Sequence, residues 1–217
     1  MADNFRYEFI RFVVAKKVLN FGEFKTKAGR MSPYFFDAGL FYDGEALRSL
    51  ARFYAKAILA ADVEFDMLFG PAYKGIPLVA AVAIALADAG RNVRYSFNRK
   101  EIKDHGEGGM VVGAPLTGRV LIIDDVISAG TSVRQSVEII KAAGAVPCGV
   151  VIALDRMERG SSELSAVQEV ERYYRIPVVS VATLDDLVRY LQTDTRMDAD
   201  LAAVSKYREK YGVTANA

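Results

Sequence analysis

The chain has 217 residues, 52% of them hydrophobic and 25% charged, a balance that supports a packed core and excludes a disordered segment. Its 28 basic and 27 acidic residues leave a net charge of +1, which argues against a general nucleic-acid binder. A single cysteine, Cys148, and a single histidine, His105, exclude an internal disulfide and Cys-rich or multi-His metal sites.

In chain order, residues 4–19 read as an amphipathic helix, with Phe5, Phe9, Phe12 and Val13 at helical spacing. The aromatic, Gly-bearing stretch Phe21–Tyr42 suits short strands, and Glu45–Ala60 reads as a second helix with Asp43 as N-cap. Short apolar strands and helices then alternate: strand Asp66–Phe69, helix Ile76–Ala89, strand Val93–Phe97, strand Val120–Ile123, helix Ser132–Ala143, strand Pro147–Leu154, helix Ala166–Tyr174, strand Val178–Val181 and helix Leu184–Leu191. Gly144 stands where a helix-ending glycine belongs, and Thr183 with Asp186 forms a capping-box pattern. A last helix is expected over Ala199–Tyr211.

Alternation of this kind predicts an α/β fold with right-handed crossovers. The run Val120–Ile123 is apolar at every position, so a central parallel strand covered by helices on both faces is expected there. Cys148 lies in an apolar run and is expected to be buried and inert. The segment Asn98–Gly113 and the turn Asp124–Thr131 break the alternation and read as loops. The longest apolar run, Ile76–Ala87, falls short of the ~20 residues of a membrane span, and Met1–Glu8 is polar and mixed in charge. A reducing cytoplasm is the expected setting.

The segment from Val120 to Ser132 is the most informative. A buried strand ends in two carboxylates, Asp124 and Asp125, followed by small residues, three hydroxyls (Ser128, Thr131, Ser132) and Gly130 before a helix begins. Backbone N–H groups at a helix N-terminus form a phosphate cradle. Two acids beside it would repel a bare phosphate, but they suit a sugar phosphate whose ribose hydroxyls they accept, and they suit a hydrated Mg²⁺. A plain N-cap accounts for one Asp and one Ser, not for a double Asp after four aliphatics. The glycine patterns of ATP, GTP and NAD loops are absent.

A second cluster, Asn98–Gly109, carries Arg99, Lys100, Lys103 and His105 with three glycines. It reads either as a solvated surface loop, its charge offset by Glu101, Asp104 and Glu107, or as a lid whose cations close over a leaving polyanion. Gly70-Pro-Ala-Tyr-Lys-Gly75 is a weak turn motif in which Lys74 can reach a phosphate. Phe35 and Phe36 are expected on opposite faces of a strand, one packed inward. Arg156 suits either bidentate capture of a carboxylate or an ion pair with Asp155 or Glu158.

The segment Val120–Ser132 resembles the phosphoribosyl pyrophosphate (PRPP) motif of type I phosphoribosyltransferases, and Phe97–Gly109 resembles the catalytic loop of the orotate phosphoribosyltransferase family. Phe24–Phe36 is similar to that family's Lys-x-Gly-Arg-x-Ser-Pro-Tyr-Phe-Phe pattern. The resemblance runs from the first helix to about Leu191. It implies a type I phosphoribosyltransferase fold, with a central parallel sheet flanked by helices, a small N-terminal hood at about 1–42 and a core at about 43–195. It implies that Asp124 and Asp125 hold the ribose. Val126, Ile127, Ser128, Ala129, Gly130, Thr131 and Ser132 would hold the 5′-phosphate. Tyr73, Lys74, Arg99, Lys100, Lys103 and His105, with Mg²⁺, would hold pyrophosphate. Lys27, Phe35, Phe36, Ser128 and Arg156 would meet orotate, with Lys27, Lys103, Asp124 and Asp125 closest to the chemistry. Ser128 stands where the family commonly has Thr. The family's loop serves the neighbouring subunit, which implies a homodimer. A purine phosphoribosyltransferase and a PRPP-sensing regulator that binds nucleic acid remain alternatives at this point.

Overall fold

The computed structural model describes residues 4–26, 29–103, 109–128, 130–160 and 162–213. Lys27, His105 and Ala129 lie outside the described residues, and Lys103 is described in its backbone only.

Helix α1 (Asn4–Ala15) leads into an antiparallel pair, β1 (Leu19–Lys25) and β2 (Met31–Phe36), and then α2 (Gly44–Ala60). The second sheet takes β3 (Met67–Gly70), β4 (Arg94–Lys103), β5 (Gly109–Gly113), β6 (Arg119–Ile123), β7 (Val146–Asp155) and β8 (Val178–Thr183). Its order is β5-β4-β3-β6-β7-β8, parallel except for β5, which runs antiparallel to β4. Helices α3 (Gly75–Asp88), α4 (Thr131–Ala142), α5 (Ala166–Tyr174) and α6 (Leu184–Leu191) follow β3, β6, β7 and β8, and α7 (Asp198–Tyr211) ends the chain's regular structure. The expected α/β architecture with a mostly parallel central sheet is what the chain adopts.

The period-2 alternation of the central strands divides the core between two faces. Leu121 and Ile123 join Leu68, Val151 and Ala153 against Leu50, Tyr54, Leu78 and Val82 of α2 and α3. Val120 and Ile122 join Met67, Phe69 and Ile152 against Val133, Val137 and Ile140 of α4. All four residues of Val120–Ile123 are 0% exposed, so this strand holds both layers, each side chain stabilising by roughly 1.5–3 kcal/mol.

Local signals were obeyed at several ends. Asp43 caps α2 by accepting from the Ala46 N–H at 2.8 Å. Gly144 adopts φ +78 just past α4, and Thr183 and Asp186 form a reciprocal capping box on α6. Three expectations need correction. The first helix stops at Ala15 rather than residue 19, because Lys17 turns left-handed (φ 55) and the Val18 N–H reaches back to the Val13 carbonyl at 2.9 Å. Asn98–Gly113 is not a loop throughout: Asn98–Lys103 extends β4 and Gly109–Gly113 forms β5, with Lys103 opposite Gly109. Cys148 is half-buried rather than buried, although burial still pushes its thiol up to about 11.

Candidate active site

Strands β3 and β6 are neighbours, yet the chain leaves β3 through α3 toward β4 and leaves β6 through α4 toward β7. The connections therefore diverge, and a crevice opens at the C-terminal ends of these two strands. Lys74, after β3, and Asp125, after β6, face each other across it, with Lys74 Nζ 2.7 Å from Asp125 Oδ2.

The turn that carries Lys74 is held by close backbone approach. A Cβ on Gly70 would run into the Gly75 carbonyl oxygen and lie 2.6 Å from Val79 Cγ1, and one on Gly75 would lie 2.6 Å from Pro71 Cδ. The two glycines let the end of β3 and the start of α3 touch. The Ala72–Tyr73 peptide is cis. The Ala72 N–H donates to Asn98 Oδ1 at 2.9 Å, which ties the turn to β4. Tyr73 is 67% exposed, with the Lys100 ammonium 4.5 Å from its ring centre. Arg99 donates to the Gly109 carbonyl across the hairpin at 3.3 Å. Thus Lys100 meets Tyr73, the residue before Lys74, while Arg99 pairs back across the hairpin.

On the other rim, Asp124 is buried at 6% exposure and Asp125 is half-buried. Asp124 continues the ladder, its N–H donating to the Val151 carbonyl at 3.0 Å. The buried Tyr54 hydroxyl of α2 donates to the Asp124 carbonyl at 2.7 Å. Burial raises the Asp124 carboxyl to about 6; the neighbouring Asp125 charge adds to the shift, while the Ser132 hydroxyl that bonds it works in the opposite sense. Asp124 Oδ1 accepts from the Asp125 N–H and Asp125 Oδ1 from the Val126 N–H, both at 2.9 Å. Gly130 turns left-handed (φ 67), and α4 begins at Thr131 with no side-chain cap, so its first N–H groups are left for a ligand. Ser128 and Thr131 are exposed, and Val126, Ile127 and Ser132 are half-buried beneath them.

A Mg²⁺ ion would meet two carboxylates here. Asp125 offers oxygens already taken by Lys74 and the Val126 N–H, and Asp124 has Oδ1 bonded by the Asp125 N–H and a further hydrogen bond with Ser132. Among the described residues no three His, Cys, Asp or Glu side chains cluster as metal ligands. The residues fit an ion carried largely by water and phosphate oxygens, the usual habit of Mg²⁺, with the acidic pair as its protein anchor.

At the end of β7 the sequence left two readings of Arg156 open, and the structure shows the ion pair. Its Nε and Nη2 lie 2.9 and 2.6 Å from Glu158 Oε1, and Nη2 also donates to the Ser32 hydroxyl at 2.9 Å. The edge suited to bidentate capture of a substrate carboxylate is thereby occupied by Glu158, and the Tyr207 hydroxyl also bonds the Arg156 side chain. Phe36 is buried at 8% exposure and Phe35 is 45% exposed, stacked on Phe24 at 5.5 Å. They stand on opposite faces of β2, as strand alternation requires. Asn98, Tyr54 and Tyr34 escaped sequence reasoning as contributors to the site; only Asn98, at the end of an apolar strand, carried a usable signal.

The phosphoribosyl transferase domain family matches residues 40–178. An orotate phosphoribosyltransferase of Thiobacillus denitrificans is 66% identical over 210 residues, 97% of this chain and 99% of that one. The chain belongs to the orotate phosphoribosyltransferases. It is therefore a pentosyltransferase. The crystal structure of the family's Francisella tularensis member superimposes with a TM-score of 0.86 at 43% identity, covering 95% of this chain and 100% of that one. A Mycobacterium tuberculosis orotate phosphoribosyltransferase crystallised in complex with PRPP shares the fold, with a TM-score of 0.63 at 23% identity, over 84% of this chain and 98% of that one.

Proposed function

We propose that this enzyme transfers the phosphoribosyl group of PRPP to N1 of orotate, giving orotidine 5′-monophosphate and pyrophosphate in a Mg²⁺-dependent step of UMP formation. The observation that carries the reading is the Lys74–Asp125 pair astride the crevice, with an uncapped helix start beside it. Asp124 and Asp125 accept the ribose hydroxyls, and the N–H groups and hydroxyls from Val126 to Ser132 receive the 5′-phosphate. Lys74, Arg99, Lys100, Lys103, Tyr73 and His105 take the pyrophosphate. Orotate meets Arg156, Ser128, Lys27 and the β2 aromatics. Displacement at C1′ passes through an oxocarbenium-like state, and the cations stabilise negative charge as it builds on the departing diphosphate. Bound Mg²⁺ supplies charge neutralisation on that diphosphate. The β4–β5 hairpin acts as a lid shared within a homodimer, and the enzyme works in the cytoplasm. No helix among the described residues is long and apolar enough to cross a membrane.

The direct test mixes the protein with Mg²⁺, PRPP and orotate and follows loss of orotate absorbance, with adenine, hypoxanthine and uracil alongside. Consumption of a purine in preference to orotate would overturn the reading. Arg156→Ala is expected to raise the KM for orotate by about 10-fold or more, the size of a lost charged hydrogen bond, with little change for PRPP; equal loss for both substrates would assign Arg156 a structural role.

The acidic pair also sets a pH dependence. Its ionised form accepts the ribose hydroxyls, so kcat/KM for PRPP is expected to fall as pH drops through about 6, where Asp124 gains its proton. Asp125→Asn removes the neighbouring charge and should move that midpoint to lower pH. An unchanged midpoint in a pH-rate profile would show that another group controls it.

A further inference from the structure

We infer that Glu158 and Tyr207 are positioning residues that aim Arg156, so that helix α7 helps to set which acceptor the enzyme takes. The inference rests on the proposed reading of Arg156 as the group that meets the acceptor's carboxylate.

The phosphoribosyl transferase domain match covers residues 40–178. Two segments lie outside it, the N-terminal strands and the C-terminal helix, and they converge on the loop after β7. From the N-terminal side, Arg30 donates to the carbonyls of Arg159 at 2.6 Å and Gly160 at 3.1 Å. From the C-terminal side, the Val213 N–H donates to the Met157 carbonyl at 2.8 Å, and Arg159 Nη2 donates to the Lys210 carbonyl at 2.6 Å. The Arg30 guanidinium also lies 4.7 Å over the Tyr211 ring, closing the joint between the two segments.

Arg156 sits inside this joint. Its guanidinium lies 4.1 Å from the centre of the Tyr34 ring, which fixes its plane. Glu158 fixes its rotation, holding Nε and Nη2 on one oxygen, while Ser32 takes a further Nη2 donor. Glu158 is itself held by two phenols: Tyr34 donates to Oε1 at 3.1 Å and Tyr207, from α7, to Oε2 at 3.2 Å. The side chains of Arg156 and Glu158 are 24% and 14% exposed.

An ion pair this sheltered adds little to stability over a well-packed apolar pair, because desolvation offsets its attraction. Its distinct effect is directional. Nε and Nη2 of Arg156 are committed to Glu158 and Ser32, and the Tyr207 hydroxyl bonds the same side chain, so the Nη1 end is held in a fixed place. A fixed donor discriminates an acceptor that bears a carboxylate from one that lacks it. A freely swinging arginine would attract anions without selecting among them.

The test compares Glu158→Gln, Tyr207→Phe and Arg156→Ala, reading the KM for orotate at saturating PRPP, the KM for PRPP at saturating orotate, and the competitive inhibition constant of uracil, which lacks the carboxylate. Glu158→Gln and Tyr207→Phe are expected to raise the orotate KM by about 10-fold and about 3-fold, since the first removes the charge that holds Arg156 and the second only one of the two phenols that hold that carboxylate. The PRPP KM should hold, and the preference for orotate over uracil should fall by the same factors. Tyr207→Phe keeps every charge and nearly all packing, so it decides the matter if Glu158→Gln fails to fold. A lower melting temperature with unchanged orotate KM and unchanged preference in both variants would overturn the inference. If Arg156→Ala itself retains the preference, the assignment of Arg156 to the carboxylate fails instead, and the positioning role falls with it.

Discussion

Lys103→Ala is expected to lower kcat by about 10²–10³ while changing the KM for either substrate little, the pattern of a charge that acts on the transition state more than on the bound substrates. Lys103 ends β4 and stands opposite Gly109 in the hairpin, so its backbone is held by strand pairing. The negative charge that appears when the C1′–oxygen bond breaks is spread over the departing diphosphate, which is where such a cation lowers the barrier. Steady-state rates at saturating orotate and PRPP decide the point. Turnover near that of the parent enzyme would remove Lys103 from the mechanism.

Gly70→Ala is expected to cost about 3 kcal/mol of stability, the upper range for overpacking a buried site, and to abolish PRPP turnover in whatever folds. The added methyl would lie 2.6 Å from Val79 Cγ1 and against the Gly75 carbonyl oxygen. Neither can give way cheaply: Val79 is 0% exposed in the core, and Gly75 is the first residue of α3. Relief has to come from moving α3 away from β3, which carries Lys74 off its place opposite Asp125. Thermal melting and PRPP binding should therefore fail together. A variant with parental melting temperature and turnover would show that the turn is far softer than its contacts indicate.

Much of the fold was legible from the chain because the signals were local. Asp43, Gly144 and the Thr183–Asp186 pair act within a few residues of themselves, and Val120–Ile123 declares its two buried faces by composition. The β4–β5 hairpin was hidden because an edge strand can be charged and glycine-rich without losing its pairing, and such residues also mark loops. At the site, the acids and cations were readable as residue types at strand ends. Their partners were not. Ser32 and Arg156 are 124 positions apart, Tyr207 and Glu158 49, and nothing along the chain announces which of its tyrosines will meet a given carboxylate. The sequence did offer Glu158 as an ion-pair partner of Arg156, because the two are neighbours along the chain, but it could not show that Ser32 and two phenols close around that pair.

The bond between Lys74 and Asp125 has a meaning for the empty enzyme. The Lys74 side chain is 61% exposed, so the bond is of the weak, water-screened kind and opens at little cost. The two ions cancel one another, so the crevice presents a muted field to phosphates and carboxylates around it. On the proposed assignment of Lys74 to the pyrophosphate and Asp125 to the ribose, separating them would reward only a guest that brings an anion and hydroxyls at once. The spacing of β3 and β6, set by the apolar layers far below, is what holds the two ions in register.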